Sequence, residues 1–183
     1  MKKPFWILPA VLALVLCAGT AYGLDDGFGA AKKSQGQHFT LLFASQVDPE
    51  PLAMKVCVRP DSFVSGEGGA QGVAAEVDRL FSRVSDILDM QLYSYSGSIK
   101  VCRDSEQLKE IFRHIFGSDL EASSFYVNEL NTIYIDQQHF TAWILGHEIG
   151  HAIMSHYFVV PPPVKISEVL AGYVEYQLRK CAR

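Results

Sequence analysis

The stretch Ile144-Leu145-Gly146-His147-Glu148-Ile149-Gly150-His151-Ala152-Ile153 sets an H-E-x-x-H pattern inside an apolar helical run. An α-helix turns about 100° and rises about 1.5 Å per residue, so His147 and His151 stand roughly 40° apart and about 6 Å along the axis. Two imidazoles so disposed can ligate one Zn²⁺ at about 2.0–2.1 Å each. Glu148 adjoins the first of them on the same side of the helix, where a carboxylate can serve as general base toward a water held at the metal. Ala142, Leu145, Ile149, Ala152 and Ile153 recur at steps of three and four. They form a buried stripe with the histidines beside it. Gly146 and Gly150 each cost about 1 kcal/mol relative to alanine in a helix interior. Their spacing points to a second backbone approaching closely there.

The N-terminus belongs to a different class of segment. Lys2 and Lys3 precede an apolar run from Phe5 to Leu16, followed by the small residues of Ala18-Gly19-Thr20-Ala21-Tyr22-Gly23. The run is short for a membrane span and reads as a secretory signal cleaved after about Gly23. The expected localisation is therefore secreted or periplasmic, with membrane attachment only if the signal stays uncleaved. Removing Lys2 and Lys3 leaves 14 basic against 20 acidic residues, a net charge of −6. With no lysine or arginine cluster, nucleic acid is excluded as an expected partner. Cys57, Cys102 and Cys181 remain, none at metal-ligand spacing from another, and in an oxidising compartment one disulfide among them is expected.

The remainder, 49% of the whole chain being hydrophobic and 20% charged, suits one domain with a real core. Residues 24–37 read as a flexible lead-in and residues 38–183 as the domain. His38–Ala44 is expected to be a strand, and Ala53–Val58 a second short one. Residues 65–72 form a glycine-rich loop by composition. Val73, Val77, Leu80, Phe81, Val84, Ile87 and Leu88 repeat with helical period over 73–90. Ser98–Cys102 is a strand. Asp104 with Gln107 resembles a capping box opening a helix that ends near Gly117. Ser124–Asp136 reads as two short strands, of which Thr132–Asp136 borders the metal site and is either an edge open to β-augmentation by a peptide or an ordinary sheet strand. Val164–Lys180 is the last helix, with Ile166, Leu170, Tyr173, Val174 and Leu178 apolar.

A catalytic tetrahedral zinc takes three protein ligands and keeps one open position. The last helix offers Glu168 and Glu175, seven apart and so on nearly one side, separated by about 10 Å. Ala171 and Gly172 between them are small enough for close helix packing against Gly146 and Gly150. Glu168, nearer the turn, is the expected ligand; Glu175 is an alternative or an outer partner to a histidine. A histidine six residues beyond His151 is not available, since Tyr157 stands there. His156 lies about 140° around the helix from His151 and reads as structural.

His147-Glu148-Ile149-Gly150-His151 followed by Ser167-Glu168-Val169-Leu170-Ala171-Gly172-Tyr173-Val174-Glu175 resembles the gluzincin metallopeptidases, most of all a peptidase-MA-like branch whose second motif runs E-G-x-A-x-Y-x-E on a helix. The looser resemblance spans about His38 to Leu178. It implies an α+β, zincin-like minimal metallopeptidase domain: a small mixed sheet, the H-E-x-x-H helix and a C-terminal ligand helix. It also implies one Zn²⁺ on His147, His151 and Glu168, Glu148 as catalytic base, and a peptide or protein substrate. Val169 stands where the family usually has glycine, and the 16 residues between His151 and Glu168 are fewer than in many relatives. The oxyanion donor is unassigned, with Tyr157, His156 and Tyr173 as candidates by proximity. A second reading is a zinc-binding envelope module of the same fold without turnover. A third is a zinc hydrolase acting on a bond other than the peptide bond. Retention of Glu148 favours an enzyme, because a purely structural site needs no base.

Overall fold

The computed structural model describes residues 26–57 and 69–181. The expected signal, and residues 65–68 of the expected glycine-rich loop, lie outside them. In chain order the elements are β1 (Ala30–Gln35), β2 (Phe39–Ala44), α1 (Leu52–Val56), α2 (Gly69–Leu88), β3 (Gly97–Cys102), α3 (Ser105–Phe116), β4 (Ser124–Val127), β5 (Thr132–Asp136), α4 (Ala142–Tyr157) and α5 (Val164–Cys181), with one 3₁₀ turn at Asn128–Leu130. The strands make a single mixed sheet in the order β1-β2-β3-β5-β4. β2, β3 and β5 run parallel, and β1 and β4 are antiparallel edges. The described residues thus form an α+β fold.

Alternation along the inner strands divides the molecule into two layers of core. Phe39, Leu41 and Phe43 of β2, Ile99 and Val101 of β3, and Ile133 and Ile135 of β5 point to the face covered by α1, α2, α4 and α5. Cys102, Tyr134, Phe125 and Val127 point to the other face, where Leu108 and Ile111 of α3 cover them. Period-2 side-chain alternation across a sheet buried on both sides produces this division. α2 buries Val73, Val77, Leu80, Phe81 and Val84, as the helical period requires. At α3 the Asp104 carboxylate accepts from Gln107 N–H at 2.9 Å, Gln107 Oε1 in turn accepts from Arg103 N–H, and Gly117 closes the helix at φ 68°. That left-handed conformation is nearly free for glycine and costly for residues with a Cβ.

Several local expectations are corrected. Residues 69–72 of the expected glycine-rich loop are helical and open α2, with Gly72 buried. Part of the supposed lead-in is β1, which pairs with β2 from Ala30↔Ala44 to Gln35↔Thr40 with one irregularity. Its Ala-Ala-Lys-Lys-Ser-Gln sequence, exposed except at Ser34, carries no alternating apolar signal, and only the ladder to β2 makes it a strand. Residues 52–56 are helical rather than extended, and Leu52, Ala53 and Val56 are all buried, whereas a strand would send Ala53 to the face opposite Leu52 and Val56. β5 is not an edge; it lies between β3 and β4. Cys57, Cys102 and Cys181 stand at the ends of three separate elements, and among the described residues no disulfide joins them to one another.

The two helices of the motif pair pack through the glycines of α4. A Cβ on Gly146 would collide with Leu178 Cδ1, and one on Gly150 would meet Ala171 Cα at 3.7 Å. Gly172 does not share this interface: a Cβ there meets nothing within 4 Å. α5 buries Ala171, Val174 and Leu178, while Ile166, Val169, Tyr173 and Tyr176 are exposed. Gly146→Ala is therefore expected to lose about 1–3 kcal/mol through overpacking against the buried Leu178, offset by up to about 1 kcal/mol of helix propensity. Gly172→Ala is expected to stabilise by up to about 1 kcal/mol through helix propensity alone. Urea unfolding of the two variants checks this; equal effects would mean that the helices do not meet at Gly146.

Candidate metal centre

α4 and α5 form the closest helix pair, and their contact brings the motif residues together. His147 Nε2 and His151 Nε2 are 3.2 Å apart. Glu168 reaches over from the first turns of α5, with Oε1 3.4 Å from His151 Nε2 and Oε2 3.6 Å from His147 Nε2. One donor atom from each of the three residues falls within 4.8 Å of the others. A polar side chain stands behind each outer ring nitrogen. His151 Nδ1 lies 3.2 Å from Ser167 Oγ. His147 Nδ1 is buried without a well-aligned hydrogen bond, and Glu175 Oε2 is 3.5 Å from it. Protons on both Nδ1 atoms satisfy these partners and leave both Nε2 lone pairs directed at the cluster. Two lone pairs at that separation repel unless a cation stands between them. The cluster is thus one that could hold a metal ion.

Glu175 is fixed in turn. Arg179 donates to its Oε1 from Nε at 2.9 Å and from Nη2 at 2.7 Å, and the guanidinium lies 5.2 Å over the Trp143 ring. Glu175 therefore stands behind His147 rather than among the three converging donors. Burial and the neighbouring His147 push the His151 imidazole below its ordinary range, partly opposed by Glu168. A neutral ring is the form that can ligate a metal.

Glu148 is 6% exposed, and its Oε1 accepts from Ser124 Oγ at 2.7 Å. Burial raises its pKa to about 7; the Ser124 hydrogen bond acts against this, and the Glu168 and Glu175 charges add to it. A carboxylate tuned near neutrality is matched to proton transfer at neutral pH. The shift also has a consequence for the metal-free protein. A folded-state value above the unfolded one means that the native state holds the proton more tightly. The associated stability is fully present below about pH 4.5 and lost as pH rises through about 7, a difference on the order of 3 kcal/mol. Chelated Glu148→Gln protein is expected to exceed wild type in stability at pH 8 by up to that amount, an advantage absent near pH 4.5. A pH-independent difference in urea unfolding would show that the carboxylate is not desolvated.

Two cavities meet at this site along β4. One, of about 600 Å³, is lined by Ser123, Ser124, Asp136, His139, His147 and Glu148 among others. The other, of about 430 Å³, is lined by Phe125, Tyr126, Glu148, His151, Ser167 and Glu168 among others. β4, an edge strand, runs beside both. Sequence reasoning missed Ser124, Ser167 and His139; no short motif marks them, and only the fold places them here, with His139 beside Asp136. The candidates for the oxyanion donor are not brought to the cavities. His156 bonds its Nδ1 to Ala152 O at 2.9 Å and meets Tyr95 edge-on. Tyr157 and Tyr173 are about half exposed elsewhere.

No protein-family model, no curated protein and no solved structure matches this chain. Its chemistry has to be argued from its own residues.

Proposed function

We propose that this chain is an exported zinc metallopeptidase of the gluzincin type with a zincin-like fold, holding one Zn²⁺ on His147, His151 and Glu168. The observation that carries this reading is the convergence of two imidazole nitrogens and one carboxylate beside a buried, hydrogen-bonded glutamate at the meeting point of two cavities. Donors about 2.0–2.1 Å from a tetrahedral centre lie about 3.3 Å from one another. The observed separations of 3.2, 3.4 and 3.6 Å suit that arrangement. The N/N/O donor set, with room left toward the cavities, is that of a catalytic rather than a structural zinc.

When bound, the zinc supplies Lewis-acid polarisation of a carbonyl and lowers the pKa of water toward about 7. The remaining steps belong to the protein. Ser124 orients Glu148 by holding Oε1, which leaves Oε2 to accept a proton from the attacking water. Glu148 then delivers this proton to the leaving amine. Glu175 and Ser167 hold the two histidine rings in the tautomer that presents Nε2. The free edge of β4 offers backbone donors and acceptors along both cavities, which suits an extended peptide.

The failure of Tyr157, His156 and Tyr173 to line the cavities favours a second reading, a zinc-binding envelope module of the same fold without turnover. One experiment separates the two. The purified protein should contain near one zinc per chain and cleave members of a peptide library, with activity lost on chelation and restored by zinc. Zinc without cleavage would select the binding module. No zinc after reconstitution would remove both readings.

A further inference from the structure

α5 is apolar on two sides. Ala171, Val174 and Leu178 are buried on the side packed into the core. Ile166, Val169, Tyr173 and Tyr176 fall within about 80° of one another on the side roughly opposite, and each is between 48% and 62% exposed. The outward face of a surface helix is ordinarily polar. The turn that leads into this stripe adds Val159, fully exposed, and Val160, 79% exposed. Single apolar side chains at a surface need no account. A run of them along one helix and the turn before it marks a contact site.

Charge narrows what that contact can be. Lys165 and Lys180, both exposed, border the stripe at its two ends. The acids of α5 lie about 120–140° around from the middle of the stripe. Glu168 faces His147 and His151, and Glu175 faces His147 and holds Arg179. The stripe thus carries two basic residues and no acid, on a chain whose formal net charge is −4. A second copy does not match it. Antiparallel pairing of two α5 helices about their midpoint brings Lys165 of one within about a turn of Lys180 of the other. Parallel pairing sets each lysine beside its own counterpart, and no acid on either stripe offsets the repulsion.

An anionic lipid surface matches both features. Valine, isoleucine and tyrosine side chains enter the headgroup boundary, while lysines at the margin reach acidic headgroups. Among the described residues no helix is long and apolar enough to cross a membrane, so α5 would lie along the surface.

We propose that the outward face of α5 and the Val159–Val160 turn dock this protein on an anionic lipid bilayer. The attachment is separate from any N-terminal anchor, and it holds whether or not the metal centre cleaves peptide. Pro162 and Val164, which follow the turn, line the smaller cavity, so docking sets the metal centre beside the bilayer.

Vesicle flotation and bromolipid quenching test this without turnover. Wild type is expected to float with vesicles of phosphatidylglycerol and phosphatidylcholine, and more weakly with phosphatidylcholine alone. Val159→Ser/Val160→Ser, at exposed positions, should bind at least about tenfold more weakly. Lys165→Gln/Lys180→Gln should lose about tenfold on the anionic vesicles and with it the preference for them. Tyr176→Trp places a reporter in the stripe, and Phe116→Trp places one at a half-exposed site on α3, across the sheet. With brominated acyl chains in the anionic vesicles, the added emission of Tyr176→Trp should be quenched and that of Phe116→Trp should not. This separates the stripe from any contact made by the N-terminal apolar run, which all the variants share. No flotation of wild type with anionic vesicles overturns the proposal. So does binding that the valine and lysine variants leave unchanged, or equal quenching at the two reporter sites. A dimer in sedimentation that Tyr176→Ser dissolves, without vesicle binding, would give the stripe to a second copy and overturn it as well.

Discussion

The Glu148→Gln protein is expected to bind zinc as wild type does and to cleave peptide about 10²–10⁴-fold more slowly, the span that general acid–base groups contribute. Glutamine preserves the shape, and its Oε1 can still accept from Ser124 Oγ, which bonds Glu148 at 2.7 Å. On the proposed mechanism, what is lost is the oxygen that takes and returns a proton. The two imidazoles and Glu168 keep their places, so metal content separates a chemical defect from a folding one. kcat/KM measured alongside zinc per chain makes the check. A variant that keeps activity within about threefold of wild type would assign the base elsewhere.

The second large effect distinguishes the two glutamates of α5. Glu168 has an oxygen 3.4 Å from one Nε2 and another 3.6 Å from the second. Glu175 meets His147 from the far side of the ring, at Nδ1, with Arg179 behind it. Removing an outer partner costs about 10–100-fold in metal affinity. Glu175→Ala should fall in that range, and Glu168→Ala, which deletes one of three converging donors, should exceed it. Competition against a zinc chelator of known affinity measures both. The reverse order would place the third donor two turns further along α5.

Much of the framework is readable from local pattern. The period of Val73, Val77, Leu80, Phe81 and Val84 specifies the buried face of α2. Asp104 and Gly117 specify the ends of α3, because cap chemistry acts on residues three or four positions away. The convergence of His147 and His151 follows from helix geometry alone. That of Glu168 follows from the small residues on facing helices, although Gly172, unlike Ala171, proves to stand outside the contact.

Other features have no local cause. The Ala-Ala-Lys-Lys-Ser-Gln strand exists because β2 offers it a ladder. The Leu52–Val56 segment is helical because three of its residues share one burial site. Ser124 reaches Glu148 across 24 residues of chain only because β4, rather than β5, takes the sheet edge beside α4. His139, three residues from Asp136, lines a cavity that Lys109 reaches from across the sheet. The sequence alone determined which long segments are periodic, where α3 begins and ends, and which residues carry metal-binding chemistry, since these depend on neighbours within one or two turns. Strand order, the identity of the edge, and the partners of buried carboxylates were decided only in the tertiary structure, where hydrogen bonds and burial join residues that no short-range pattern connects.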